Sequence, residues 1–213
     1  KKLFEAINSI NFEYVIYSSG YIQHKDFNIE GFAYINENIN NFNNLIEAIN
    51  LHHVKKFLNI SSSDEYGIST APQKESSIKV PSTPYALLKN YNSSLLKTLN
   101  LKKKLNYLNL YTFLVYGPGQ KLDRFIPAMI NTLLQNKTFE LKSPKYNRDF
   151  LYIDDYTDIL FKCLKSKKAT NMDINIGSGK IINLQMVAKN IYSKINLGKL
   201  KILKTKSKKD NIY

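Results

Sequence analysis

Cysteine is almost missing: Cys163 is the only one in 213 residues, which excludes a disulfide framework and a thiolate metal cluster and suits a reducing compartment. No run of about eighteen apolar residues occurs and no leader resembles a signal peptide, so neither membrane spanning nor export is expected. Acidic residues are few, 17 against 31 Lys and Arg, for a formal net charge of +14. Such a balance can serve nucleic acid, anionic membranes or anionic small ligands. Here the excess is mostly lysine and accompanies abundant Asn and Ile, as an AT-rich coding sequence would dictate. The densest basic segments, Lys102-Lys103-Lys104 and Lys199 to Lys209, carry no aromatics interleaved for base stacking, so no nucleic-acid partner is expected. Also missing is any G-x-x-G-x-x-G or G-x-G-x-x-G, the turn whose backbone amides hold a pyrophosphate at a helix start.

What is present can bury a core without staples, with 43% hydrophobic residues in a chain of domain size. Phe12 to Gly20 reads as a strand ending in small residues, 38–51 as a helix with a stripe of Leu45, Ile46, Ala48 and Ile49, and Val54 to Ser63 as a strand running into hydroxyls. A long helix follows from Tyr85 to Lys103 and an apolar strand from Leu105 to Val115. Strands alternating with helices imply an α/β fold, a Rossmann-like doubly wound parallel sheet. The alternation then loosens. Tyr116 to Gln120 is turn chemistry, Phe125 to Leu134 a helix and Arg148 to Ile153 a strand; Asp154 or Asp155 caps the next helix, and 184–195 is a final amphipathic helix.

One pair could carry chemistry. Tyr85 and Lys89 lie four apart on a predicted helix, hence on one face, so the ammonium can sit near the phenol. A free tyrosine has a pKa of about 10, and a neighbouring cation lowers it by stabilising the phenolate. A phenol tuned this way can take a proton from an alcohol or return one to a ketone. Ser61, Ser62 and Ser63 bring hydroxyls to the carboxyl edge of the sheet, where open α/β folds bind ligands.

In order along the chain stand Val15-Ile16-Tyr17-Ser18-Ser19-Gly20, Asn38 with Asn44 to Ala48, Ser61-Ser62-Ser63-Asp64-Glu65-Tyr66-Gly67 and Pro84-Tyr85-Ala86-Leu87-Leu88-Lys89. Val115-Tyr116-Gly117-Pro118-Gly119-Gln120, Arg148 to Asp155 and Asn175-Ile176-Gly177-Ser178-Gly179 continue the series. Together they resemble the extended short-chain dehydrogenase/reductases, and within them the NAD-dependent nucleotide-sugar epimerases and dehydratases. The resemblance implies Tyr85 as general acid/base and Lys89 as the cation that tunes it and holds the nicotinamide ribose. It implies Ser62 as the catalytic hydroxyl and Asn38, opening a helix, as part of the active-site network. Ser19, Gly20 and Ser61, with Tyr85 and Lys89, would line NAD, or NADP. Ser63, Asp64, Tyr116, Gln120 and Arg148 would contact the nucleotide-sugar, the arginine gripping its diphosphate. No metal is implied.

The departures shape the remaining expectations. The first matched strand resembles the family's fourth, which together with the Lys1 start suggests a piece of a longer protein; the alternative is a protein that has lost cofactor binding. Residues 1–115 would then be an N-terminally truncated Rossmann-like core and 116–213 mainly a small substrate lobe, with 148–165 returning to the core. Tyr111 and Leu114 replace the family's arginine and asparagine, and Asn41-Phe42 replaces Gly-Thr. Aligned to Tyr66-Gly67, the acid pair of a dehydratase falls on Ser63 and Asp64, a single acid. Epimerase therefore ranks first, keto-sugar reductase second and dehydratase third, with a catalytically silent scaffold or basic binding protein as the alternative of another class. The resemblance further implies a cytoplasmic homodimer built on 38–51 and 85–103.

Overall fold

The computed structural model of the protein describes residues 2–20, 26–103, 105–204 and 211–212. Its elements are α1 (Lys2–Ile7), β1 (Tyr14–Tyr17), α2 (Ile29–Ala48), β2 (Lys56–Ser62), α3 (Pro84–Leu101), β3 (Tyr107–Thr112), β4 (Leu114–Tyr116) and α4 (Phe125–Leu134). They continue with β5 (Thr138–Leu141), β6 (Asn147–Tyr152), α5 (Ile153–Lys165), β7 (Met172–Ile176), β8 (Ile181–Asn183), α6 (Leu184–Ile195), β9 (Lys199–Ile202) and β10 (Asn211–Ile212). The chain divides into two units, one holding the residues up to 69 with 73–112 and 158–176, the other 70–72, 113–157 and 177 onward.

The first unit is a parallel sheet in the order β1-β2-β3-β7. Strands β2 and β3 are buried along almost their whole length, as parallel strands covered by helices must be. Helix α3 starts where the sequence stops resisting it: Thr83 accepts a hydrogen bond from the Ala86 amide at 3.1 Å, and Pro84 takes the first turn, whose N–H would have had no partner. Its apolar side closes a core of Phe42, Phe57, Leu96, Leu105 and Tyr107. Lys102 forms its C-cap, so positive charge stands at the negative end of the helix; Lys104 and the basic stretch from 205 to 209 lie outside the described residues.

Three expectations need correction. The helix expected from residue 38 begins at Ile29, because Asn28 caps it by accepting from the Gly31 amide at 2.9 Å. Asn38 therefore sits inside α2 instead of opening it. The strand expected over 105–115 is two strands, because β3 pairs with β2 and β7 whereas β4 pairs with β6. Asp154 and Asp155 occupy the first turn of α5 and do not precede it; there their charges still complement the helix dipole.

Sequence patterning also missed a polar row across the sheet. Asn59, Asn109 and Asp173 are direct neighbours on β2, β3 and β7. Asn59 Nδ2 donates to Asn109 Oδ1 at 3.0 Å, and Asn109 Nδ2 donates to Asp173 Oδ1 at 3.1 Å and to the Ser93 carbonyl at 3.2 Å. Lys97 of α3 closes the row on Asp173 at 2.6 Å. Burying a polar group costs free energy unless it is paired, and in this row Asn59 Oδ1 alone has no partner among the described residues, so the remaining bonds fix where α3 can lie on the sheet.

In the second unit β6 pairs in parallel with β4 and β10 and antiparallel with β8, while β5 pairs with β9. Met129, Leu133, Leu141 and Ala188 form a core between α4, α6 and the β5–β9 pair. Asp149 is buried and accepts from the Ser178 amide at 2.7 Å, its hydroxyl at 2.6 Å and the Gly179 amide at 2.8 Å. Among the described residues no helix is long and apolar enough to cross a membrane.

One buried lysine ties helix to strand. Lys56 of β2 donates to the carbonyls of Cys163, Leu164 and Ser166 at 2.9, 3.3 and 2.6 Å, satisfying the orphan acceptors at the end of α5. Replacing it with a side chain of similar length and no charge, Lys56→Met, is expected to lower the unfolding free energy by about 2 kcal/mol. Urea titration of the intact protein should show an earlier midpoint at an unchanged slope.

Candidate active site

At the carboxyl ends of β1 and β2 the chain leaves the sheet through Ser18-Ser19-Gly20 and through Ser62 into a short 3₁₀ turn, Ser63–Tyr66. Helix α3 runs alongside, and Lys89, 3% exposed, reaches back from it. Its Nζ donates to the Ile60 carbonyl at 2.8 Å and to the Ser19 carbonyl at 3.2 Å. One ammonium thus joins two strand ends. Burial drives its pKa down to about 8, while the charge of Glu65 opposes that fall. Two of its three N–H bonds are committed to these carbonyls, which leaves one to donate elsewhere.

Tyr85 lies one helical turn before Lys89, with Nζ 5.8 Å from the centre of its ring. The ring is buried in a cluster with Tyr34 and Ile35 of α2 and Leu88 of α3. Asn38 stands one turn beyond Tyr34 and donates from Nδ2 to the Tyr34 carbonyl at 2.8 Å. Ser62 Oγ accepts from the Asp64 amide at 3.1 Å, which leaves its hydroxyl hydrogen free to point at a substrate oxygen. Gly67 ends the turn with φ of 54°, and a Cβ there would run into the Val80 carbonyl oxygen, so glycine is required for a steric as well as a conformational reason.

The neighbours of Ser62 are arranged differently from expectation. Ser61, expected to line a cofactor, turns its hydroxyl inward: it donates to Glu65 Oε1 and lies 3.1 Å from Ser93 Oγ. Ser63 is buried and Asp64 half-buried. Glu65, which a solvated turn would have left in water, is wholly buried and also accepts from Ser93 at 3.0 Å and Asn90 at 3.3 Å. Burial pushes its carboxyl up to about 7, against those hydrogen bonds and the charge of Lys79. No periodicity in the sequence distinguished Glu65 from its half-buried neighbour Asp64; only the hydroxyls at Ser61 and Ser93 hint at a partner. Tyr111, standing where the family has arginine, is buried and donates to Asp173 at 3.0 Å, so it completes the polar row.

The other expected substrate residues belong to the second unit. The Tyr116 ring packs edge-on against Phe150 and Tyr152, with centroids 6.2 and 5.5 Å apart, and Gln120 Nε2 donates to the Val115 carbonyl at 3.0 Å. Arg148 is half-buried on β6, donating from Nη1 to the Asn147 carbonyl at 2.9 Å and covering the Tyr146 ring at 5.1 Å. Among the described residues no group of three or more His, Cys, Asp or Glu is placed to hold a metal ion.

The sequence and the fold are both matched by comparison with known proteins. Residues 1–177 fit the NAD dependent epimerase/dehydratase family. The chain belongs to that family. It is 29% identical over 162 residues to the dTDP-D-glucose 4,6-dehydratase of Dictyostelium discoideum, an overlap of 70% of this chain and 37% of that protein. It is 30% identical over 151 residues to the UDP-glucuronate 4-epimerase of Thermodesulfobacterium geofontis, covering 70% and 46%. The chain therefore spans less than half the length of either relative. Its fold is that of the UDP-glucose 4-epimerase of Thermotoga maritima, with a TM-score of 0.85 at 20% identity over all of this chain and 72% of the other.

The state of Lys89 has a consequence for stability. Because folding lowers its pKa from 10.5 to about 8, the stability linked to this group is complete above 10.5 and is lost as pH falls through about 8. In Lys89→Met that slope should vanish. The free energy of the wild type relative to the variant should rise by about 3 kcal/mol between those pH values, measured by urea unfolding across the alkaline range.

Proposed function

We propose that the protein is a nucleotide-sugar epimerase that works by NAD-dependent hydride transfer, with Tyr85 as general acid/base, Lys89 as the cation that tunes it and Ser62 as the hydroxyl that orients the substrate oxygen. The carrying observation is the Lys89 ammonium, anchored on the carbonyls of Ile60 and Ser19 one turn from Tyr85. The nicotinamide-ribose end of NAD suits the same residues. Gly20 has φ of 95°, which glycine adopts without strain, and it brings the backbone close to Lys89, with a Cβ there 3.9 Å from Nζ; the third N–H of Lys89 would donate to a ribose hydroxyl. NAD, when bound, supplies a site that takes hydride from the sugar carbon and gives it back.

The protein's own groups manage the proton. As the sugar hydroxyl becomes a carbonyl its proton would pass to the Tyr85 oxygen, with the Lys89 ammonium one turn away, and Ser62 would donate to the same oxygen. When the carbonyl is reduced on its other face, Tyr85 returns the proton and the hydroxyl has changed configuration. Arg148, Tyr116, Gln120, Ser63 and Asp64 would hold the nucleotide diphosphate and sugar, the guanidinium matching phosphate oxygens by charge-assisted bonds. A dehydratase needs a second acid beside Asp64, and the nearest, Glu65, is enclosed by Ser61, Ser93 and Asn90. That favours epimerase, and then keto-sugar reductase, over dehydratase. The lone buried Cys163 fits a cytoplasmic setting, and a homodimer packed through α2 and α3 would cover Ile29, Phe32 and Leu87, all exposed.

Given to the complete protein with NAD, a panel of nucleotide-sugars should yield an epimer without net consumption of cofactor. A reductase would instead use up NADPH stoichiometrically, and a dehydratase would release a deoxy keto-sugar. Tyr85→Phe should lower kcat by about 10²–10⁴-fold with little change in KM; unchanged turnover would remove Tyr85 from the mechanism.

A further inference from the structure

Glu65 is the one wholly buried carboxylate named in the site, and the chemistry above makes no use of it. A Val or Leu would fill the same interior position without the penalty of burying an acid. Its three hydrogen bonds are not scattered. Ser61 adjoins Ile60, whose carbonyl holds Lys89, while Asn90 and Ser93 are the next residue and the next turn after Lys89 on α3. The carboxyl therefore grips strand and helix on both sides of the ammonium.

We propose that Glu65 is a positioning residue for the Tyr85–Lys89 pair, clamping β2 to the turn of α3 that carries Lys89 and bringing an interior carboxylate to that turn. This rests on Tyr85 and Lys89 being the reacting pair. The charged and titratable groups facing Glu65 are Lys89 from α3, Lys79 from the connection before it, Tyr111 from β3 and Tyr66 from its own turn. Lys79 is itself held by Asp173 at 3.8 Å, with Lys97 and Glu75 acting on it. Lys79 is thus shared between Glu65 and Asp173, whereas Lys89 has Glu65 as the acid acting on its titration.

Glu65→Gln keeps the shape and an acceptor but removes the charge. In the complete protein without cofactor or sugar, the wild type should lose stability relative to Glu65→Gln as pH rises from 4.5 through about 7, because folding raises this carboxyl's pKa. In the loaded enzyme the alkaline limb of kcat/KM, where Lys89 loses its proton, should move to lower pH by about one unit in Glu65→Gln. A limb that stays at the wild-type pH overturns the proposal, and so does a stability curve parallel to that of the wild type. Should Glu65→Gln fail to fold, isotope-edited infrared titration of the Glu65 carboxyl decides. The attraction is reciprocal, so Lys89→Met must shift that titration upward, and an unshifted titration overturns the proposal. The unfolding and infrared readouts need neither cofactor nor sugar, so they separate failure of this proposal from failure of Tyr85 as the acid/base.

Discussion

A single buried ammonium sets the terms for the first unit. Lys89 leaves α3 and ends on carbonyls belonging to β2 and to the segment after β1. Those acceptors sit at fixed heights in a hydrogen-bonded sheet, so the helix bearing the lysine has little freedom to slide or rotate. Tyr85, one turn earlier on the same helix, inherits that placement and is held from its other side by Tyr34 and Ile35 of α2. A charge removed from water is unfavourable unless neighbouring dipoles and charges compensate it. Here two carbonyls and the Glu65 carboxyl do so, and the same arrangement holds the ammonium 5.8 Å from the centre of the Tyr85 ring.

The polar row beneath α3 extends the same logic. Asn59, Asn109 and Asp173 run across three strands, and Ser93 and Lys97 of the helix bond to members of the row. An apolar interface of equal area would tolerate shifts of register, because dispersion is not directional. A row of amides and carboxylate does not, since a displaced helix would leave buried groups unpaired. Hydrophobic burial by Phe42, Phe57 and Leu96 supplies the bulk of the attraction, and the polar row selects one geometry from those that burial alone would permit.

Membership of the NAD dependent epimerase/dehydratase family gives these details a context. Tyr111 illustrates how this chain departs from the pattern the resemblance implies: the position of a cation is held by a phenol that hydrogen-bonds Asp173. The interior of the sheet has thereby gained a link between β3 and β7. Glu65 adds an acid in a wholly buried position beside the site.

Much of this was legible along the chain. The alternation of apolar strands with amphipathic stretches determined a parallel α/β sheet, the helix read from Tyr85 to Lys103 located α3 to within two residues at either end, and the ordered motifs from Val15 to Gly179 singled out Tyr85 and Lys89. Each of these depends on short-range periodicity or local capping, which neighbouring residues settle among themselves. The inward turn of Ser61, the burial of Glu65, the break between β3 and β4 and the row from Asn59 to Asp173 were decided by tertiary structure. Their partners lie from 4 to 64 residues away, and a polar side chain in a strand carries no mark of whether it will meet water or another polar group across the sheet.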